Sequence, residues 1–301
     1  MKTGIQAWRS VDSRVRGNDI SPEVKYTRDA RPDVNFLPKG TFGSTIIMPA
    51  SAKQRFEEDY VNSVTVILPT YNERENIGPL IERTLAAING WAIEVLVVDD
   101  DSPDETWKVV EEMAGRDARI VLCRRTEERG LTSAIWHGIQ HARGDVVLWM
   151  DCDLSMPPEF IPDLLAQFAS PTINIAIGSR YVPGGRDIGH SLTGQLFSRA
   201  INLFAGLLLG FHVRDYTSGF VSARRDVFEQ ITLRGDYGEY CIDFLYRARR
   251  HGFRVVEVPY DCVERAAGES KTALNAWGYL RRGVKYVETI LRLRLKAGRA
   301  E

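Results

Sequence analysis

From Val64 onward the chain alternates two kinds of apolar pattern. Short unbroken runs, VTVIL (64–68), EVLVV (94–98), RIVLC (119–123) and VVLWM (146–150), have the length and β-branched content of strands buried on both faces. Between them apolar residues recur at helical spacing, with Ile77, Leu80, Ile81, Leu85 and Ile88 over 76–89 and a second set over 132–142. Ser102, Pro103 and Glu105 supply an N-cap, a proline at the first helical position and a glutamate three residues on, which predicts a helix start at this point. Four strand-then-helix units in about 100 residues predict a mostly parallel sheet covered by helices on both faces.

Later segments continue the alternation less regularly. Strands are predicted at 173–181 and 253–260, helices at 196–210 and 239–250, and a loop at 184–194. Residues 1–62 carry no clean apolar period and read as a weakly ordered extension, with a short element near Thr45–Met48. The main domain then spans 63–272. The last segment, 273–301, is read as a basic amphipathic helix. Its lysines and arginines at 281, 282, 285, 292, 294, 296 and 299 accompany Val284, Val287, Leu291 and Leu295 on one helical side, a pattern suited to a membrane surface. The uncharged apolar stretch between Arg199 and Arg214 is shorter than the roughly 20 residues a membrane-spanning helix needs.

Composition changes this picture in two ways. A formal net charge of −1 gives no global case for a nucleic-acid partner, and the Arg-rich 247–250 reads as a solvated helix face. The four cysteines form no CxxC pair, and residues 1–30 contain no apolar leader segment. A cytoplasmic setting without disulfides or structural zinc is therefore expected, with the protein peripheral on a membrane.

The chemistry gathers where the strands end, as PTYNE, DDDSPD and DCDLS. In open α/β sheets ligands bind at those carboxyl ends. Asp151 and Asp153 would repel one another unless they cap a turn in solvent or share a cation. As alternate residues of an extended strand end, both would point one way. A carboxylate cluster without a His/Cys ligand set suits a hard ion, Mg²⁺ or Mn²⁺. His137 and His141 lie one helical turn apart but lack a third ligand, and Cys152 reads as a small space-filler. Neither GxxxxGK[ST] nor GxGxxG is present, which argues against a P-loop or dinucleotide-binding domain and toward a nucleotide-sugar enzyme.

Seven blocks carry a family likeness: LPTYNERENI, VVDDDSPDET, RGLTSAIWHGIQHARGD, MDCDLSMPPE, GSRYVPGG, TSGFVSARRDVFE and ERAAGESK. In this order they resemble family 2 glycosyltransferases, and among those the dolichol- or polyprenyl-phosphate mannosyltransferases. The resemblance implies a GT-A fold, GDP-mannose as nucleotide-sugar donor, a divalent cation and a lipid phosphate acceptor, with inversion at the anomeric carbon. By position it implies that Pro69, Tyr71, Glu73, Val98 and Asp100 contact the nucleotide. Asp151, Cys152 and Asp153 would lie beside the diphosphate, with Asp151, Asp153 and Ser155 serving the cation. Arg180 would sit near phosphate or sugar, and Arg265 and Lys271 would close over the diphosphate. Of these, Asp153, Arg180, Arg265 and Lys271 are the expected catalytic set. The acceptor side departs from the family pattern. Cys152 and Met156 replace its usual Ala and His, Gly194 stands where an Arg is expected, and Cys241 and Asp243 replace Gln and Glu. Arg186 and Arg199 are candidate substitutes for the missing Arg. A UDP-sugar donor or carbohydrate acceptor is the alternative on the same fold, and a non-catalytic nucleotide-sugar-binding scaffold is the alternative of another class.

Overall fold

A computed structural model of the chain describes residues 62–266 and 276–297, together with the strands β1 (Val34–Asn35) and β2 (Ser44–Pro49). Lys271, assigned above to the site, lies outside the described residues. The expected element near Thr45–Met48 is strand β2, which pairs antiparallel with a strand of the main sheet.

The four apolar runs form β3 (Ser63–Thr70), β4 (Ala92–Asp99), β5 (Ile120–Arg125) and β6 (Val146–Trp149). They pair in parallel, β5 with β4, β4 with β3 and β3 with β6. Their alternate residues feed two separate cores, as the twofold side-chain period of a strand requires. Val64, Val66 and Leu68 pack on one face against α1 (Arg74–Ala87) and α2 (Thr106–Ala114). Ile67, Leu96, Val98 and Val147 pack on the other face against α3 (Leu131–His141). Continuous apolar runs are needed because neither face meets water. A Cβ on Gly138 would fall 2.5 Å from Ile67 Cγ2, so glycine lets α3 lie directly on β3.

The second half completes both layers. After α4 (Ile161–Ala166) come β7 (Ile175–Ser179), the two-residue β8 (Arg186–Asp187) and α5 (Leu192–Leu209). Then follow β9 (Val221–Arg224), α6 (Val227–Gln230), α7 (Glu239–Arg250), β10 (Val255–Pro259), β11 (Asp261–Cys262) and α8 (Ala276–Ala297). The main sheet runs β1-β2-β5-β4-β3-β6-β9-β7-β10, and β8 pairs with β11 in a separate two-stranded ribbon. β9 is antiparallel to both its neighbours, β6 and β7. This is the mostly parallel, doubly covered α/β sheet of the GT-A fold.

Three local expectations change. The helix predicted to start at Ser102 begins at Thr106. Ser102 is held by Asp99, which accepts from its backbone N at 2.9 Å and its Oγ at 2.6 Å, and Asp104 instead accepts from Thr106 N at 3.0 Å. Residues 151–155 are not a strand end, because β6 stops at Trp149 and Leu154 takes φ +65 in the turn that follows. Finally, α5 extends from Leu192 to Leu209 and, by length and composition alone, could cross a membrane. It lies along the body instead, with Ile201, Ala205 and Leu209 in the core and Leu192, Leu196, Leu203 and Leu207 exposed.

Candidate active site

One cleft of about 1030 Å³ opens at the carboxyl ends of β3, β4 and β6. Ten of the expected site residues line it: Pro69, Tyr71, Glu73, Asp100, Asp151, Cys152, Asp153, Ser155, Arg180 and Arg265. Val98 does not. Its side chain is wholly buried in the α3-side core and its carbonyl accepts from Thr70 Oγ1 at 3.5 Å.

At one end of the cleft the acidic run after β4 divides its work. Asp99 is absorbed by Thr70 and Ser102, as above. Asp101, at φ +53, pairs with Arg124. Asp100 takes Arg125 Nε at 2.7 Å and Gly130 N at 2.7 Å on its two oxygens. Burial raises the Asp100 pKa, against the pull of these partners. Asp100 is thus held by the almost fully buried Arg125, and Tyr71, on the same cleft, has its ring 5.3 Å from the Arg129 guanidinium.

The centre holds the two aspartates. Asp153 is compensated: its Oδ1 accepts from Ser155 N at 3.0 Å and its Oδ2 from Arg265 Nη2 at 2.8 Å. Asp151 accepts no hydrogen bond from any described residue, and its pKa is pushed up to about 7 by burial first and by the charge of Asp153 second. Glu73 adds to the repulsion, while Arg265 and His190 oppose it. The mutual orientation of Asp151 and Asp153 comes from the 151–155 turn, not from strand alternation. Beneath them Cys152 is buried and its thiol donates to Pro69 O at 3.2 Å, in keeping with the space-filling reading.

The far end is cationic and was only partly legible. Arg180 is buried and held by Asp215, with Nε at 2.8 Å from Oδ2, Nη2 at 2.7 Å from Oδ1, and its own backbone N also donating to Oδ2. Burial opposes the Arg180 charge, but Asp215 more than offsets this and keeps it firmly protonated. Asp215, Asn202 and Thr217 form this support, and sequence inspection missed all three; the only signal was an acid two residues before TSGF. Gly194 lines the cleft, whereas neither proposed substitute for the absent Arg does. Arg186 pairs with Asp261 at the surface, and Arg199 sits 5.9 Å from the Tyr181 ring. Cys241 donates to Ser218 O at 2.8 Å, and Asp243 pairs with Arg247, so both replacements are tied into the scaffold. His137 and His141 stack at 4.3 Å one turn apart on α3, with His137 buried and His141 partly exposed.

Residues 65–232 match the family model described as glycosyl transferase family 2. The chain is 40% identical over 210 residues to the dolichol-phosphate mannosyltransferase of Pyrococcus furiosus, over 69% of this chain and 58% of the relative. It is also 40% identical over 213 residues to the polyprenol monophosphomannose synthase of Mycolicibacterium smegmatis, over 68% of this chain and 79% of that protein. It thus spans less than two thirds of the Pyrococcus relative. In fold it is similar to glucosyl-3-phosphoglycerate synthase of Mycobacterium tuberculosis, solved with Mn²⁺, UDP and glucosyl-3-phosphoglycerate. That match has a TM-score of 0.58 and 21% identity and covers 81% of each chain. On its sequence, its sheet and its cleft, the chain belongs to glycosyl transferase family 2.

Proposed function

We propose that the chain transfers mannose from GDP-mannose to a polyprenyl phosphate at a membrane surface, with inversion at the anomeric carbon. One observation carries this reading: Asp151, without a hydrogen-bond donor among the described residues, sits beside an Asp153 already engaged by Arg265 at the carboxyl edge of the parallel strands. A carboxylate whose burial and like-charged neighbour both disfavour ionisation fits a hard divalent cation, Mg²⁺ or Mn²⁺. Asp151, Asp153 and Ser155 would hold that ion, which when bound neutralises charge on the departing diphosphate.

The chain's own groups do the rest. Arg265, fixed by Asp153, presents a positive charge where the β-phosphate of the leaving GDP gathers electrons, and Lys271 is assigned beside it from its position in the ERAAGESK segment. Asp100, Tyr71 and Glu73 receive the nucleoside, with Pro69 and Cys152 shaping the floor. Arg180, immobilised by Asp215, orients phosphate or sugar at the opposite end. A lipid phosphate arrives ionised, with a second pKa of about 6. Its oxygen attacks the anomeric carbon as the bond from that carbon to the GDP oxygen breaks, and the bonding pair leaves with GDP. No general base is required.

A lipid acceptor is supported by a second feature. An apolar groove of about 870 Å³ runs between α5 and α8, and Phe197 and Ile201 line both this groove and the cleft. An apolar tail can therefore leave the cleft without crossing water. Val284 and Leu295 on the groove are exposed, Leu196, Leu203 and Leu207 are exposed elsewhere along α5, and Arg292 and Lys296 line the groove. Such a face suits peripheral attachment to the cytoplasmic side of an anionic bilayer. Leu203→Glu with Leu207→Glu is expected to lower partition onto anionic vesicles at least tenfold, since burying one leucine is worth about 1.5–3 kcal/mol. Co-sedimentation checks this, and unchanged binding would remove the membrane face from the proposal.

The activity is tested by incubating the purified chain with radiolabelled GDP-mannose, Mg²⁺ and polyprenyl phosphate and extracting a labelled lipid. Parallel incubations with UDP-sugars and with carbohydrate acceptors identify the alternative. Folded protein that transfers from no nucleotide sugar would falsify the enzyme reading and leave the scaffold.

A further inference from the structure

Beyond the Asp151/Asp153 pair, the cleft wall carries a second group of ligand atoms with different chemistry. Asp187 on β8 is the register partner of Cys262 on β11, and paired residues of parallel strands present their side chains on one side. The chain then turns back over this pair. Ile188 N and Gly189 N both donate to Cys262 O, at 2.8 and 2.9 Å, and a Cβ on Gly189 would fall 1.9 Å from Val263 O. Only glycine permits that approach, and it brings His190 over the two strands. The His190 Nδ1 stands 2.7 Å from Asp187 Oδ1 and 3.8 Å from Cys262 Sγ. All three ligand atoms lie within 4.8 Å of one another. The Asp187 side chain is 1% exposed, and its Oδ2, 3.7 Å from Arg180 Nη1, has no hydrogen bond.

We propose that Asp187, His190 and Cys262 form a binding site for a soft divalent transition metal, Zn²⁺ in the first instance, distinct from the hard-cation pair at Asp151 and Asp153. A thiolate, an imidazole and a carboxylate are the ligand types zinc selects, whereas Mg²⁺ takes oxygen alone. Tetrahedral zinc with ordinary bond lengths places O and N about 3.4 Å apart and N and S about 3.6 Å apart. From the observed separations, binding requires the His190–Asp187 contact to open by about 0.7 Å and the His190–Cys262 contact to close by about 0.2 Å, with the Asp187 oxygen and Cys262 Sγ, within 4.8 Å of one another, settling at about 3.6 Å. His190 is half exposed and can make its part of that adjustment, while β8 and β11 hold the backbones of the other two ligands side by side. The ion and two anionic ligands sum to no net charge, so the neighbouring Arg180, already paired with Asp215, does not oppose binding. His190 and Cys262 line the cleft, which leaves the fourth coordination position open toward it. Zinc binding at these three residues needs neither the donor nor the acceptor proposed above.

The test is calorimetric titration of the chelator-stripped full chain with Zn²⁺ in excess Mg²⁺, repeated with Co²⁺ to read thiolate-to-cobalt absorption in the near ultraviolet. One Zn²⁺ per chain is expected, undisplaced by Mg²⁺. Cys262→Ser and His190→Ala should each weaken it more than about 100-fold, since losing even an outer partner of a metal ligand costs 10–100-fold. His190→Ala alters a half-exposed side chain, and its melting temperature verifies folding should Cys262→Ser fail. Asp153→Asn should leave zinc binding in place. Absence of stoichiometric binding, binding indifferent to both ligand variants, or loss in Asp153→Asn alone would each overturn the assignment.

Discussion

An Asp151→Asn chain is expected to lose transfer by at least about a thousandfold, yet to be more stable than the parent when no divalent cation is present. The two effects share one cause. Asp151 is set among groups that disfavour its charge, burial foremost and Asp153 next, so its carboxyl titrates near 7 in the folded chain against 3.8 as an ordinary carboxyl. Between those values the folded state binds a proton that the unfolded state has released. The stability this provides is complete below about 4 and is lost as pH rises through about 7. Asparagine mimics the protonated form and does not titrate. Thermal unfolding in chelator should therefore give nearly equal melting temperatures only at about pH 4 or below, where the carboxyl is protonated in both states. At pH 8, where the parent carries the unrelieved pair, the variant should melt several degrees higher. Added Mg²⁺ or Mn²⁺ should close that gap by stabilising the parent, more at pH 8 than at pH 6, and should leave the variant unmoved. Equal pH slopes for the two proteins would mean that Asp151 is compensated by something other than a cation.

How far this arrangement was legible depended on the kind of signal. β3, β4, β5 and β6 announce themselves because strands buried on both faces must be apolar at every position, and the carboxylates at their ends follow from where a parallel sheet leaves its edge open. β9 escaped because Val221–Arg224 contains Ser222 and Arg224 and is too short for a pattern; its place between β6 and β7 supplies the burial that its composition does not advertise. Ser102 has all the local features of a cap, but Asp99 three residues earlier competes for the same hydroxyl and amide and wins. The aspartates of DCDLS were expected together for a reason that does not hold, since Leu154 in a left-handed conformation makes a turn where an extended strand was assumed. The support behind Arg180 left only the acid two residues before TSGF as a local signal. Asp215 is 35 residues away in sequence, and only the tertiary fold brings it into contact. Asp187 and Cys262 are likewise joined by a two-residue ribbon that no periodicity could predict.

The Arg180–Asp215 pair separates what the scaffold needs from what the chemistry needs. Asp215→Ala leaves a buried guanidinium without its counter-charge, and breaking a buried pair from one side costs about 3–5 kcal/mol. In a chain of this size that lowers the melting temperature by roughly 6–20 °C, the largest stability loss expected from any single change in the cleft. Removing both charges together is different, because a buried ion pair spends much of its attraction on desolvation. Arg180→Met with Asp215→Val should recover most of the lost stability, since apolar replacements of similar volume are often neutral. Transfer should not recover with it, because the double variant has a folded cleft that lacks the cation at its far end. Melting temperature and transfer rate measured on the same three proteins thus distinguish two roles. If the double variant regains both, Arg180 is a structural residue that happens to face the cleft. If it regains stability alone, the Asp215 support exists to hold a positive charge against the substrate at that end of the cleft.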